Sequence, residues 1–260
     1  MAAELTQHDD CVLYLYGISE LLPADLPQEI GVALAKIEAV ECGGVVCWVS
    51  WVPGIDFERN LARNMENLDW LAEASVAHQR VVSAIAKQTE ILPARFGTVF
   101  RSGTSLRQHV RGRTRHLKRD FERVRGADEW GVKVFGITMQ SATVPKIQSK
   151  VHSGKDYLKA KAALLPKRRG STGGTDGDLK KFQEALNRVA RETAKVGNVS
   201  SGQRGLAFQT SLLIKRRDRK KLESVLRKFS ESWENRRRIE CTGPWPPYSF
   251  VSRAEGERSK

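Results

Sequence analysis

The segment Gly243-Pro-Trp-Pro-Pro-Tyr-Ser-Phe-Val251 restricts the fold of this chain more than any other stretch. Proline fixes φ and removes a backbone donor, and a residue that precedes proline is pushed to extended conformations. The stretch is therefore a stiff, extended rail that aims Trp245 and Tyr248 in set directions. Prolines cannot serve in the middle of a sheet, so they lie before a pairing strand at 248–251 or along a sheet edge. On this reading Trp245 covers the apolar end of the last sheet, with Pro246, Pro247 and Tyr248 beside it. A free rail would instead be a ligand for an aromatic groove. Its place after the last helix favours the role of a fold lock.

The 260 residues suffice for one large domain or two ordinary ones. A hydrophobic content of 40% with 28% charged residues fits a soluble globular chain. The longest apolar run, 45–52, is far short of a membrane span. The polar, acidic start has neither the basic nor the apolar region of a signal peptide, so a cytoplasmic protein is expected. Cys11, Cys42, Cys47 and Cys241 lack a disulfide-framework spacing and are expected to be reduced and buried. The net charge of +14 attracts nucleic acid, acidic headgroups or acidic protein surfaces without choosing among them.

Cys11-Val-Leu-Tyr-Leu-Tyr-Gly17 is an apolar run that predicts a strand buried on both faces. Gly43-Gly44 predicts a hairpin between strands at 32–42 and 45–52. From 56 to 88 the period becomes helical, with Leu61, Met65, Leu68, Ala72 and Val76 on one expected core face. Pro93 interrupts it, and 92–100 reads as a loop with a short strand. Ser102 is a candidate N-cap for a helix to about Arg125. Its apolar stripe is narrow (Leu106, Val110, Leu117, Phe121, Val124) and its remaining surface is arginine-rich. The stripe predicts one seam of packing on the 56–88 helix, with His109 and His116 in solvent.

The second half predicts a strand at 130–139, helices at 157–165 and 179–189, a short strand at 196–201 and a half-buried strand at 206–214. A helix bearing Leu222, Val225, Leu226, Phe229 and Trp233 and a strand at 248–251 complete it. A stretch at 166–178, rich in Gly, Ser and Thr, reads as a flexible insertion. The expected fold class is α+β in two domains: residues 1–127 with a sheet and long helices, and residues 128–260 in the ferredoxin-like order β-α-β-β-α-β.

Enzyme patterns fail in turn. Ser153-Gly-Lys-Asp156 lacks the leading glycine and the trailing Ser/Thr of a P-loop, and the 170–178 stretch lacks a G-x-G. Cys42 and Cys47 have no matching His or Cys pair for zinc. No G-x-S-x-G occurs. No enzyme activity, metal or cofactor is expected. A basic nucleic-acid-binding protein on a ferredoxin-like frame is the rival reading. Its signature aromatics are thin, because the matching strand carries only Phe208, and Arg204-Gly-Leu-Ala-Phe208 only grazes the pattern.

Four segments together resemble the gas vesicle protein F/L family: Leu92-Pro-Ala-Arg-Phe-Gly-Thr-Val-Phe100, Glu129-Trp-Gly-Val-Lys-Val-Phe135, Ser153-Gly-Lys-Asp-Tyr-Leu158 and Gly243-Pro-Trp-Pro-Pro-Tyr-Ser-Phe250. Leu13-Tyr-Leu-Tyr-Gly-Ile18 is similar to the family's first strand. The resemblance implies a minor structural or assembly protein of gas-filled, protein-walled compartments that give buoyancy, located in the cytoplasm at the vesicle. It implies contact with the hydrophobic shell protein and other accessory vesicle proteins, two α+β domains with a modified ferredoxin-like second one, and no enzyme activity. The family's His followed by an acidic residue is His78-Gln79 here.

The candidate interaction residues are Arg95, Phe96 and Gly97 in the first segment, Arg111, Arg115 and Arg119 on the basic helix, and Trp245, Pro246, Pro247 and Tyr248 in the last. Arg95 is expected to bridge the domain junction through its planar fork. The arginines of the basic helix are expected to meet an acidic protein surface in a salt-sensitive way. A membrane or nucleic-acid partner is not expected.

Overall fold

The computed structural model describes residues 10–25, 27–136, 174–195, 205–234 and 236–252. The expected helix at 157–165, the 153–158 segment and the expected strand at 196–201 lie outside the described residues. The chain forms two antiparallel sheets with helices, an α+β fold.

The first sheet contains β1 (Cys11–Ser19), β2 (Glu38–Glu41), β3 (Val46–Pro53), β4 (Ile91–Pro93) and β5 (Val99–Phe100). Its order is β2-β3-β1-β4, and β5 also pairs with β1. As its unbroken apolar run predicts, β1 is central and buried on both faces. The β1–β3 register slips between Leu15 and Gly17, so Tyr16 is the extra residue of a bulge. The bulge puts Tyr14 and Tyr16 on one face while Leu13, Leu15 and Ile18 serve the other. Gly17 is required there, because a Cβ would sit 2.7 Å from the Ile91 side chain and 2.8 Å from the Leu92 carbonyl.

The Tyr face is covered by α2 (Leu68–Ala86), preceded by a π-turn at Ile55–Arg59 and the short α1 (Leu61–Asn64). The expected single helix over 56–88 is thus broken, and Asn67 caps α2 by accepting the N–H groups of Asp69 and Trp70. The expected core stripe is also corrected. Ala74, His78, Val81, Val82 and Ile85 are buried, whereas Met65, Leu68 and Val76 are exposed. Of the expected strand at 32–42 only β2 pairs, and a 3-10 turn occupies Val32–Leu34.

The opposite face is covered by α3 (Gly103–Val124), capped by a reciprocal Ser102–Ser105 box. All five residues of its predicted stripe are buried. It packs across the sheet from α2, not on the 56–88 helix as expected, and joins the cluster of Leu13, Leu15 and Val49. His109 is half-buried, with its ring centroid 5.1 Å from that of Phe100.

The second sheet runs β7-β8-β6-β9: β7 is Glu192–Ala194, β8 Leu206–Lys215, β6 Ala127–Gly136 and β9 Arg237–Trp245. One face carries α4 (Gly174–Val189) and α5 (Arg219–Ser232), which bury Phe182, Leu186, Leu222 and Trp233 against Trp130, Val132, Leu212 and Ile214. The helix α4 opens within the stretch read as an insertion, so residues 174–178 are helical. The final strand is β9, ahead of the Pro-Pro pair; Tyr248–Phe250 form a 3-10 turn, not the expected strand. The prolines obey the edge alternative, since β9 is an outer strand. Gly243 supplies φ +136, and a Cβ there would lie 2.8 Å from the Glu129 carbonyl.

The two sheets share apolar contacts. Ala127 and Leu213 of the second join Phe121, Val124 and Phe250 in the core beneath the first. Cys42 and Cys47 are buried and free, but Cys11 is half-buried and Cys241 exposed, against expectation.

Candidate functional site at the C-terminal seam

Two distant segments meet at one buried histidine. His78, on the inner face of α2, lies between Phe96 from the loop after β4 and Tyr248 from the C-terminal turn, with both ring centroids 6.1 Å away. Tyr16 stacks on it at 5.8 Å and Tyr14 meets it edge-on at 5.6 Å. The Tyr14 hydroxyl accepts the Gly97 N–H (3.2 Å) and shares a hydrogen bond with His78 Nδ1, 2.9 Å away. His78 Nε2 is buried without a partner of good geometry. Burial depresses the His78 pKa to about 4, with Ala94 opposing weakly, so the ring is neutral near pH 7. Gly97 needs its φ of +79 to present the N–H to Tyr14.

Beyond Tyr248 the tail is tied down by two buried carboxylates. Glu129 of β6 accepts the Ser249 N–H (2.8 Å) and hydroxyl (2.6 Å). Asp120 of α3, 0% exposed, accepts the Ser252 N–H (2.8 Å) and hydroxyl (2.7 Å). Between them Arg123 donates to the Phe250 carbonyl (3.0 Å), and Arg113 donates to that of Ser252. Arg191 donates to the carbonyls of Arg123 and Arg125 at the end of α3. On the far side Arg216 pairs with Glu90 (2.9 Å) and Asp128 (3.0 Å), linking the two sheets. Sequence reasoning missed Asp120 and Glu129 as anchors. The available signal was a lone acid, Asp120, within the stripe of Leu117, Phe121 and Val124.

The candidate residues separate into three groups. Phe96, Gly97 and Tyr248 join the histidine cluster. Arg95 is exposed at the mouth of a cleft of about 90 Å³ lined also by His109, Arg113, Val251 and Ser252. Pro246 and Pro247 are buried beside it in the chain, but Trp245 is 43% exposed. Trp245 therefore does not cover the sheet as expected, and the locking falls to Tyr248 and Phe250. It stands over a cleft of about 170 Å³ between the rail and the end of α2, with Ala86, Glu90 and Arg216.

The third group is Arg111, Arg115 and Arg119, exposed on the outer side of α3 with Lys118. Arg115, Lys118 and Arg119 border a shallow concavity of about 600 Å³ that also takes in His116 and Glu122, and Arg111 lies one turn before Arg115. Arg113 and Arg123, by contrast, are used inside the seam, and Arg125 pairs at the surface with Glu20 at 2.7 Å. Phe208 faces the helix layer against Phe182, at 5.9 Å, so it does not form the stacking platform an RNA-binding sheet needs. Among the described residues no group of three or more metal-ligating side chains occurs, and no helix is long and apolar enough to cross a membrane.

The likeness to known proteins runs along nearly the whole chain. Gas vesicle protein L of Streptomyces sp. (strain CB03234) is 31% identical over 256 residues, 95% of each chain. Gas vesicle protein F1 of Halobacterium salinarum is 26% identical over 92% of each. The crystal structure of the gas vesicle protein GvpF from Anabaena sp. PCC7120 superposes with a TM-score of 0.66 at 18% identity, over 94% of this chain and all of that one. That of GvpF from Microcystis aeruginosa gives 0.64 at 18%, over 93% and 99%. The family described as gas vesicle synthesis protein GvpL/GvpF matches residues 12–252, from the first strand to the serine held by Asp120, and the chain belongs to it.

Proposed function

We propose that this chain is a minor structural or assembly protein of the gas vesicle, acting in the cytoplasm by contact with the shell protein and other accessory vesicle proteins. The chain-long match to gas vesicle proteins L and F carries the reading. The exposed surfaces support a binding role over a chemical one: a half-exposed Trp245 on a proline-flanked outer strand, and an arginine face on α3 suited to an acidic partner. Arg95, which lines a cleft together with Tyr248, Val251 and Ser252, is the candidate for bridging the domain junction through its planar fork.

We read the fold as two α+β domains meeting near residue 127, the second ferredoxin-like. The order β7-β8-β6-β9, with all neighbours antiparallel, supports this assignment.

The test is deletion of the gene in a host without another chain of this family. Loss of buoyancy and of visible vesicles, restored by the wild-type chain, is expected. Normal vesicles in the deletion strain overturn the reading.

A further inference from the structure

Helix α2 carries two apolar stripes, and only one is buried. The other, Leu68, Ala72 and Val76 at i, i+4 and i+8, faces solvent, with Leu68 77% and Val76 56% exposed. Across from it residues 27–37 present Ile30 and Leu34, the latter 80% exposed. Between them runs a groove of about 680 Å³ lined by Ile30, Ala33, Leu34, Trp70, Val76 and Ala77. A contiguous apolar surface of this kind marks an interaction site, unlike scattered single residues.

The groove is preformed. Ala33 and Leu34 sit at φ 55 and φ 58, a left-handed conformation that non-glycine residues adopt only when their surroundings hold them there. The surroundings do so. Gly31 N–H bonds Ala35 O, Val32 N–H bonds the Tyr16 hydroxyl at 2.8 Å, and the Ser50 hydroxyl bonds Lys36 O at 2.7 Å. Gly31 has no room for a side chain, since a Cβ would lie 2.3 Å from the Tyr16 oxygen. The core thus holds Leu34 out in water.

The surrounding charge names the occupant. Asp56 and Glu73 line the groove against Arg80. In sequence, Glu29 adjoins Ile30, and Glu66 and Asp69 lie within two positions of Leu68, with Arg63 and Lys36 the cations nearest in sequence, on a chain whose net charge is +14. The lining comes from α2, the π-turn and the 27–37 segment and includes no strand of the first sheet, so a strand cannot be added there. Apolar anchors one helical turn apart suit a second helix packed by its ridge. We propose that this groove binds an amphipathic helix of another protein, one that carries basic residues beside its apolar face. The proposal does not depend on the vesicle reading and is tested without a vesicle.

Two synthetic peptides about five turns long, one of Leu and Lys and one of Leu and Glu, are titrated against the full chain by fluorescence anisotropy. The Leu/Lys helix is expected to bind at least about tenfold more tightly, and Val76→Glu or Leu34→Glu to weaken it by about tenfold or more. Both residues are exposed, so circular dichroism and the melting temperature of the variants stay at wild-type values. Net charge alone would favour the Leu/Glu helix, so a preference for that peptide overturns the proposal. So does Leu/Lys binding that Val76→Glu leaves unchanged. A wild-type dimer dissolved by Val76→Glu also overturns it, by assigning the groove to a second copy.

Discussion

Asp120 and Ser252 are 132 residues apart in the chain, yet the aspartate accepts both the backbone N–H and the hydroxyl of the serine. Glu129 holds Ser249 by the same pair of bonds. Two buried acids on different elements thus grip the tail at points three residues apart. Seating the tail gives each carboxylate two donors, beyond the Arg123 guanidinium 3.5 Å from Asp120, and burial without such partners is costly for a charged group.

Ser252→Ala leaves Asp120 short of one donor and is expected to cost about 1–3 kcal/mol in urea unfolding. Asp120→Asn is expected to cost a similar amount, since its amide meets groups that also donate. The double variant should cost less than the sum of the two singles, by roughly 1 kcal/mol. Strict additivity would show that the pair is not coupled.

Trp245→Ala should change stability by less than about 1 kcal/mol, as exposed sites do. Phe250→Ala, which empties a fully buried position, should cost about 3–5 kcal/mol. Melting temperatures of the two variants decide it; a larger drop for Trp245→Ala would return that residue to the core.

His78 gives a signed pH dependence. Its pKa falls from 6.5 to about 4 on folding, so the unfolded chain binds its proton first as pH drops. Stability from this group is present above pH 6.5, declines through the window from 6.5 to 4, and is lost below it. The loss is on the order of 3 kcal/mol. Urea titrations at pH 7, 5.5 and 4 should show it in the wild type, and His78→Gln should flatten that part of the slope.

Replacing Arg111, Arg115 and Arg119 together by Ser should leave the melting temperature within about 2 °C, since none supports the seam. Capture of accessory vesicle proteins should weaken, and wild-type capture should fall between low and high salt. Capture undiminished by either change would remove the basic face from the binding surface.

Local signals read well from the sequence. The Ser102 cap, the α3 stripe and the buried strand β1 follow from side-chain chemistry within a few residues. The α2 faces did not, because Leu68 and Val76 match the helical period as well as Val81 and Ile85 do, and only the partner element decides which stripe is covered. The prolines place the rail on an outer strand, one of the two positions that their missing donors allow. Its phase along β9 was missed, since pairing of Trp245 opposite Glu129 depends on a bulge and a close approach at Gly243. Arg95, Phe96, Gly97 and Tyr248 were picked out by resemblance, while Asp120, Glu129 and His78 as their common frame required three-dimensional neighbours.

The placement of Tyr248 over His78 has a consequence for how the chain opens. The rings around Tyr14 come from Tyr16, Phe57 and Phe96, all within the first hundred residues, yet one wall of the layer comes from residue 248. Any opening that lifts Tyr248 away uncovers His78 and takes Ser249 and Ser252 off Glu129 and Asp120. Fraying of this segment and exposure of the first core are thereby linked, so amide exchange at Ser249 and Ser252 should report on both.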